Sequence, residues 1–158
     1  MNAECQIIAA GSSERIECAR QLFREYAAAL DIDLCFQGFT AELAGLPGDY
    51  APPKGGLWLV QCESAFAGCV ALRPWSEGIG EMKRLYVRPD FRGRGLGRVL
   101  AKTAVRSAKQ IGYDRLRLDT LDSMKEAITL YESLGFTRID AYRHNPRAEA
   151  VYLELCLG

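Results

Sequence analysis

The sequence of 158 residues has little of what a metal site needs. It contains one histidine, His144, and its six cysteines are scattered without a C-x-x-C pair. Zinc sites usually combine closely spaced cysteines and histidines, so we expect no metal. The spacing also gives no disulfide framework, and Cys18, Cys62 and Cys69 lie in apolar stretches where free cysteine acts as a small hydrophobic residue. These absences predict a reduced, cytoplasmic protein.

Long apolar runs and an excess of charge are also missing. The longest apolar run, residues 65–72, has 8 residues, whereas a membrane-spanning helix needs about 20. The chain does not open with a basic segment and an apolar core, so no secretory signal is expected. Its 20 basic and 20 acidic side chains cancel. A neutral balance argues against nucleic acid and membrane surfaces as partners.

The order of periodic segments predicts one α/β (α+β) domain over residues 1–158. The hydrophobic fraction of 49% is ordinary for a globular chain of this length. Antiparallel strands come first, a parallel β-α-β unit lies in the middle, and further strands end the chain, which indicates a mixed sheet with helices on its faces. The predicted elements are strands at 6–10, 57–61, 66–72, 81–87, 116–119, 136–139 and 151–155, and helices at 13–30, 96–111 and 123–135.

The most informative segment is a basic, glycine-rich turn between a strand and a helix. Residues 83–98 hold six basic residues and one acid, and Gly93, Gly95 and Gly97 lie among them. Glycine allows several backbone N–H groups to turn toward one point, and the helix N-terminus adds partial positive charge. Such a turn suits a pyrophosphate. The dinucleotide fingerprint G-x-G-x-x-G fails here, and the G-K-S/T of a triphosphate loop is absent.

The hexad Arg92-x-x-Gly95-x-Gly97 matches the acyl-coenzyme A signature R/Q-x-x-G-x-G/A, and at this point the sequence resembles the GNAT family of N-acetyltransferases. Residues 81–87 resemble the family's central strand, and residues 127–136 resemble its second signature helix. The resemblance covers about residues 79 to 138. It implies a single-domain fold with a central mixed sheet of about six to seven strands flanked by about four helices.

The resemblance also implies that acetyl-coenzyme A is the co-substrate and names the residues that hold it. The expected contacts are the backbone of the central strand and the phosphate turn, namely Leu85, Tyr86, Val87, Arg92, Gly93, Arg94, Gly95, Leu96, Gly97 and Arg98. Some of the arginines could reach the 3′-phosphate, and others could be plain surface residues. Many family members carry an asparagine just before the second helix. Here Asp122-Ser123 stands instead, and Ser123 either binds the pantetheine or only caps the helix.

Two residues are expected to carry the proton transfers. Tyr131 occupies the family's tyrosine position and is the expected general acid, because a phenol of pKa about 10 can protonate a departing thiolate of pKa about 8.5. Its place on an apolar helix stripe also allows a packing role. Glu81 is the expected general base, with burial raising its pKa toward neutrality. Asp119, at the end of the next strand, is the alternative base.

The implied function is an enzyme that moves an acetyl group to a small-molecule amine by direct attack in a ternary complex. A non-catalytic acyl-coenzyme A sensor of the same fold is the alternative, and a homodimer is compatible with the family. The acceptor pocket is expected to be walled by Arg73, the loop around His144 and residues 31–39, where Asp31 and Asp33 could attract a cationic amine.

Overall fold

The computed structural model describes residues 4–30, 38–144 and 149–158, so Asp31 and Asp33 lie outside the described residues. One mixed sheet has the strand order β1-β2-β3-β4-β5-β7-β6. Its strands are β1 Cys5–Ala9, β2 Gly56–Cys62, β3 Ala65–Ser76, β4 Ile79–Val87, β5 Arg115–Leu121, β6 Thr137–Ile139 and β7 Ala150–Cys156. The helices are α1 Ser13–Leu30, α2 Phe39–Ala44, α3 Leu96–Ile111 and α4 Lys125–Ser133, with short 3-10 turns at Gly48–Tyr50 and Pro89–Phe91. The predicted mixed sheet of about six to seven strands flanked by about four helices is confirmed, since the described residues form seven strands and four α-helices.

The helix ends follow the local sequence signals in α1 and α3. The Ser12 Oγ accepts a hydrogen bond of 3.2 Å from the Arg15 N–H and so caps α1. Gly112, in the left-handed region at φ 108°, ends α3 by donating its N–H to the carbonyls of the last turn. Among the described residues, no helix has the length and apolar content needed to cross a membrane.

The predicted capping of α4 by Ser123 is wrong. Met124 occupies the N-cap and the helix begins at Lys125. The Met124 N–H donates to the Leu121 carbonyl at 2.9 Å. This bond holds Ser123 inside the turn that precedes the helix.

Two apolar cores cover the two faces of the sheet. Helix α3 packs Leu100 and Ala104 onto one face, in a core that includes Val70, while α1 packs Phe23 onto the other, in a core that includes Ala71. Successive side chains of a strand point to opposite faces, which is why the neighbours Val70 and Ala71 belong to different cores. We refer to these as the α3 face and the α1 face.

Strands β4 and β5 lie side by side over only part of their length. The parallel ladder between them ends at Glu81, opposite Arg117. Beyond that point β4 continues beside β3 to Val87, and β5 continues beside β7 to Leu121. The two strands therefore diverge, and the space between their C-terminal halves is called the wedge below.

A bulge in β4 determines which face of the sheet the side chains of Lys83 and Arg84 occupy. Between the pairs Cys69–Tyr86 and Ala71–Lys83, β4 has one residue more than β3. Arg84 takes the extra turn with a φ of 61° in the left-handed region. Lys83 is paired with Ala71 of the α1 face, and the Arg84 guanidinium lies 5.8 Å from the Tyr26 ring of α1. The bulge thus puts two consecutive cationic side chains on one face.

The expectation that all cysteines are reduced is wrong. Cys5 and Cys62 are opposite each other in the antiparallel pair β1–β2 and are joined in a disulfide across 57 residues. Directly opposed residues of an antiparallel pair are close enough for such a bond. Cys18, Cys69 and Cys156 carry free thiols. Cytoplasmic localisation stays a prediction.

The disulfide should stabilise the fold by tying the edge strand β1 to β2. For a loop of 57 residues, loop-closure entropy predicts about 4 kcal/mol, and disulfides typically contribute about 2–4 kcal/mol. Reduction with dithiothreitol, or the double change Cys5→Ser and Cys62→Ser, should lower the free energy of unfolding in urea by a similar amount. The exposed Cys156→Ser is the control and should change little. An unfolding midpoint that reductant does not move would contradict the disulfide.

Candidate active site

A cleft of about 580 Å³ lies between β4, the glycine-rich turn, α1 and the start of α4. The structure gathers most of the predicted coenzyme-binding residues in its lining: Leu85, Tyr86, Val87, Arg92, Gly93, Gly95, Leu96, Gly97 and Ser123. Tyr26 of α1 and Leu130 of α4 line the same cleft. Residues far apart in the sequence therefore converge on one cavity.

Two of the predicted arginines make contacts of their own. The Arg94 guanidinium stacks over the Phe91 ring, 5.1 Å from its centroid. Arg98 donates from Nη2 to the Ser133 Oγ of α4 at 2.9 Å. Arg98 thereby joins α3 to α4.

The glycine-rich turn that lines the cleft has the backbone of an anion site. Gly93 and Gly95 have φ values of 84° and 78°, in the left-handed region that favours glycine. Helix α3 follows at once with Leu96, so the unpaired N–H groups of its first turn lie at the cleft. Arg92 donates from Nε to the Val87 carbonyl at 3.0 Å, which joins the turn to the end of β4. Backbone donors and the helix dipole together favour bound phosphate here.

Glu81 is the centre of a buried ionic cluster where the β4–β5 ladder ends. Its carboxylate is fully buried and accepts hydrogen bonds from Arg73 Nε at 2.9 Å and Tyr142 OH at 2.7 Å. Arg143 donates to the same carboxylate from Nη2, and Lys83 Nζ lies 4.0 Å away. Three segments of the chain therefore meet on one side chain: β3, β4 and the stretch after β6.

The expected raised pKa of Glu81 is wrong. Burial does act to raise it, but the charges of Lys83, Arg143 and Arg73 outweigh burial and leave the pKa of Glu81 below its usual value. A carboxylate stabilised in this way is a weak base. Its geometry suits an anchor for the surrounding cations.

Lys83 is a candidate functional residue that was not predicted from the sequence. Its side chain is 3% exposed, and its Nζ lies 3.5 Å from the Asp119 Oδ1 on β5, across the wedge. Burial lowers the pKa of Lys83 to about 8, although Glu81 and Asp119 act in the opposite direction. A lysine two residues after Glu81, inside a β-rich run, was the available signal.

Tyr131 lies behind the wall of the cleft. Its α4 neighbours Ala127 and Leu130 line the cavity, while Tyr131 as a residue is 6% exposed and its ring centroid lies 5.8 Å from that of Phe136. Burial raises the pKa of Tyr131, and the charge of Asp119 adds to the effect. The phenol therefore keeps its proton at neutral pH. It contributes to the α3-face core, and its role as general acid remains a prediction.

A second cavity of about 290 Å³ lies between α2 and β3. Arg73, Glu42, Asp49 and Tyr50 are among its lining residues. Glu42 accepts from both Arg84 Nε and Nη2, at 3.0 and 2.7 Å, and from Tyr50 OH at 3.0 Å. Arg73 thus takes part both in this cavity and in the Glu81 cluster. Of the predicted acceptor walls, Arg73 is placed in this cavity, and His144 is exposed.

Aromatic rings brace the cationic side of the Glu81 cluster. The Arg143 guanidinium lies 4.7 Å from the centroid of the Trp75 ring and 5.4 Å from that of Tyr142. Tyr142 in turn meets Tyr152 of β7 edge-on, with centroids 5.2 Å apart. These residues come from distant parts of the chain, so no local motif could have grouped them.

Comparisons with known proteins find a matching family, similar sequences and similar folds. The sequence profile of the Acetyltransferase (GNAT) family matches residues 19–136. An uncharacterised N-acetyltransferase of Schizosaccharomyces pombe is 41% identical over 138 residues, covering 86% of this chain and 85% of that one. A proposed acyl-CoA N-acyltransferase from Klebsiella pneumoniae superposes with a TM-score of 0.74 at 29% identity, over 99% of this chain and 100% of its own.

A proposed acetyltransferase of Salmonella typhimurium, solved with acetyl-CoA, superposes with a TM-score of 0.71 over 98% of this chain and 95% of its own. At 17% identity this likeness concerns the fold.

The ion pairs of Glu81 should contribute to the stability of the folded protein. Glu81→Gln should cost about 3–5 kcal/mol at pH 7, because it leaves buried cations without their shared anion. The folded-state pKa of Glu81 is lowered. Its contribution is therefore complete above the unfolded pKa of about 4.3 and is lost as the pH falls through the lower folded value. Urea unfolding between pH 7 and pH 3 measures both effects.

The exposed Glu77→Gln is the matched control for this change. The difference in stability between the two variants should shrink as the pH falls below about 4. Equal stability of the two variants at pH 7, or a penalty that stays constant with pH, would show that Glu81 is not an ionic anchor.

Proposed function

The chain belongs to the GNAT acetyltransferase family, and from that premise we propose that it transfers the acetyl group of acetyl-coenzyme A to a small-molecule amine, by direct attack in a ternary complex. The observation that carries the proposal is the cleft of about 580 Å³, with the glycine turn in its lining and the wedge beside it. One cavity thus offers backbone donors for phosphates and a strand edge beside which an extended group can lie.

The residues present fit acetyl-coenzyme A as a co-substrate. The N–H groups at the start of α3 would bind the pyrophosphate, with Gly93 and Gly95 holding the backbone in the conformation this requires. Leu85 and Val87 lie on the part of β4 that has left the ladder with β5, so their backbone groups can serve the pantetheine arm. Ser123 lines the cleft and supplies a hydroxyl group. The thioester would then lie near the wedge.

The second cavity supports a small acceptor. Its volume of about 290 Å³ is close to the lower end of the usual range for small-molecule sites. It lies on the α1 face, and Arg73 connects it to the cluster at the mouth of the wedge. An amine bound there would approach the thioester from the side opposite the α3 core.

Tyr131 is proposed as the acid that protonates the departing thiolate. Its raised pKa keeps the phenol protonated until the C–S bond breaks. A thiol of pKa about 8.5 is a stronger acid than the phenol, so the transfer to sulfur is uphill and is driven by the return of a proton to Tyr131. Glu81 acts in this proposal as a positioning residue that holds Arg73, Lys83 and Arg143. The alternative is a sensor that binds acyl-coenzyme A without turnover.

Acetyl-coenzyme A should bind in a one-to-one complex in the micromolar range by calorimetric titration. Gly95→Ala should weaken it about tenfold, because a left-handed conformation costs an alanine about 1–2 kcal/mol and the N–H groups lose their alignment. Gly112→Ala is the matched control, since it also places an alanine at a position of positive φ, at the other end of α3 and away from the cleft. Equal loss of binding in both variants would remove the glycine turn from the site.

The same titration with dephospho-coenzyme A tests the arginines around the turn. Weaker binding of the dephospho form is expected if a guanidinium reaches the 3′-phosphate. Absence of binding for every coenzyme A species would overturn the proposed function.

Tyr131→Phe should lower kcat by about 10²–10⁴-fold while leaving the affinity for acetyl-coenzyme A within a factor of a few. The measurement is steady-state acetylation of a panel of amines: spermidine, L-lysine, a dipeptide and an aminoglycoside. Tyr113→Phe, which also removes one phenol hydroxyl group, is the control, since Tyr113 lies outside the cleft and donates to the Lys54 carbonyl. Normal turnover in Tyr131→Phe would leave the ring a packing role only. Tight binding without acetylation of any amine would favour the sensor.

A further inference from the structure

We propose that Lys83, and not Glu81, accepts the proton that the acceptor amine loses during acetyl transfer. This inference rests on the proposed acetyltransferase function and assigns a further catalytic residue within it. Three observations support it: the position of Lys83 in the wedge, its two carboxylate partners, and the ionised form that is favoured at Glu81.

Lys83 is buried in the wedge, and its neighbours join it to the lining of both cavities. Toward the acceptor side, its Nζ is 4.0 Å from Glu81, which is bonded to Arg73 of the second cavity. Toward the coenzyme side, Leu85 follows two residues later on β4 and lines the cleft. The Asp119 carboxylate holds the Nζ from β5 at 3.5 Å. The lysine nitrogen is therefore held across the wedge, beside the expected meeting point of amine and thioester.

The charged and titratable groups around Lys83 come from every neighbouring element. Glu81 and Arg84 lie on β4, Asp119 on β5, and Arg143 in the stretch after β6. Arg73 and Tyr142 contact Glu81, while Tyr26 and Tyr131 interact electrostatically with Asp119.

Burial has the largest effect on the pKa of Lys83. Together with the charges of Arg84 and Arg143 it outweighs the effect of Glu81 and Asp119, so the pKa of Lys83 falls to about 8. A group that is partly neutral at pH 7–8 can accept a proton. The guanidinium groups beside it cannot, because arginine keeps its proton in proteins.

The steps balance with Lys83 as base and Tyr131 as acid. The amine nitrogen attacks the thioester carbon and forms the C–N bond, and the neutral Lys83 Nζ takes one proton from that nitrogen. The C–S bond then breaks, its electron pair stays on sulfur, and the Tyr131 hydroxyl gives the sulfur a proton. Lys83 ends as an ammonium and Tyr131 as a phenolate. Transfer of one proton from Lys83 to Tyr131 through solvent restores both.

The test compares Lys83→Arg with Lys109→Arg, a matched change at an exposed position of α3. Arginine keeps the positive charge between Glu81 and Asp119 but cannot act as a base. Lys83→Arg should lower kcat by about 10²–10⁴-fold with binding of acetyl-coenzyme A retained, and Lys109→Arg should match the wild type. The substrate is whichever amine of the panel gives the highest kcat/KM.

The pH dependence supplies a readout that a purely structural role would not move. Wild-type kcat should rise with pH along a limb centred near pH 8, as Lys83 loses its proton. Asp119→Asn removes a charge that favours protonated Lys83, so the limb should move to lower pH by about 1–3 units. Nζ signals of ¹⁵N-lysine-labelled protein give the same pKa without turnover, with the Lys83 signal assigned by its loss in Lys83→Arg.

The outcomes separate the two claims. Turnover by Lys83→Arg within threefold of the wild type, or a limb that Asp119→Asn does not move to lower pH, overturns the role of Lys83 and leaves the acetyltransferase proposal standing. An Nζ that titrates near 10 also overturns it. If the wild type neither binds acetyl-coenzyme A nor acetylates any amine, the proposed function falls and takes this inference with it.

Discussion

The hydrogen bonds to the Glu81 carboxylate are the interaction on which the rest of the site depends. They are made at the residue where the β4–β5 ladder ends, so they supply cohesion just where backbone pairing stops. Donors from β3 and from the stretch after β6 converge on one buried anion. A buried charge is tolerable only when it is well paired. The wedge can therefore stay open because the strands beside it are joined by side chains.

The bulge at Arg84 extends this arrangement toward α1 and α2. Because it places the Arg84 side chain on the α1 face, the guanidinium reaches Glu42 of α2 while Lys83 stays beside Asp119. Glu42 also accepts from Tyr50. A regular strand would send one of the two cations into the apolar α3 core, where it would lack a carboxylate. The left-handed φ of 61° at a non-glycine residue is thus compensated by two ion pairs of defined position.

Local signals in the sequence predicted what depends on neighbours along the chain. The glycines of the turn, the Ser12 cap and the strand periods were all readable in this way, and the family resemblance supplied the nine predicted residues that line the cleft. Contacts between segments that are far apart in the sequence could not be predicted from local signals. The Cys5–Cys62 bond requires the register of β1 on β2. The sign of the pKa shift at Glu81 depends on Arg73 and Arg143, so burial alone gave the wrong direction.

Burial and charge balance together explain why the neutral form is favoured at Lys83 and the ionised form at Glu81, although the pKa of each is lowered. Around the wedge, the cations Arg73, Lys83, Arg84 and Arg143 outnumber the carboxylates Glu42, Glu81 and Asp119. The ionised form of Glu81 is therefore favoured, and the surplus is positive. A guanidinium cannot release a proton, so the surplus is most readily relieved at the lysine. Groups whose environments push them toward opposite protonation states are the ones suited to moving protons, and here that argument selects Lys83 as the base and leaves Glu81 as its anchor.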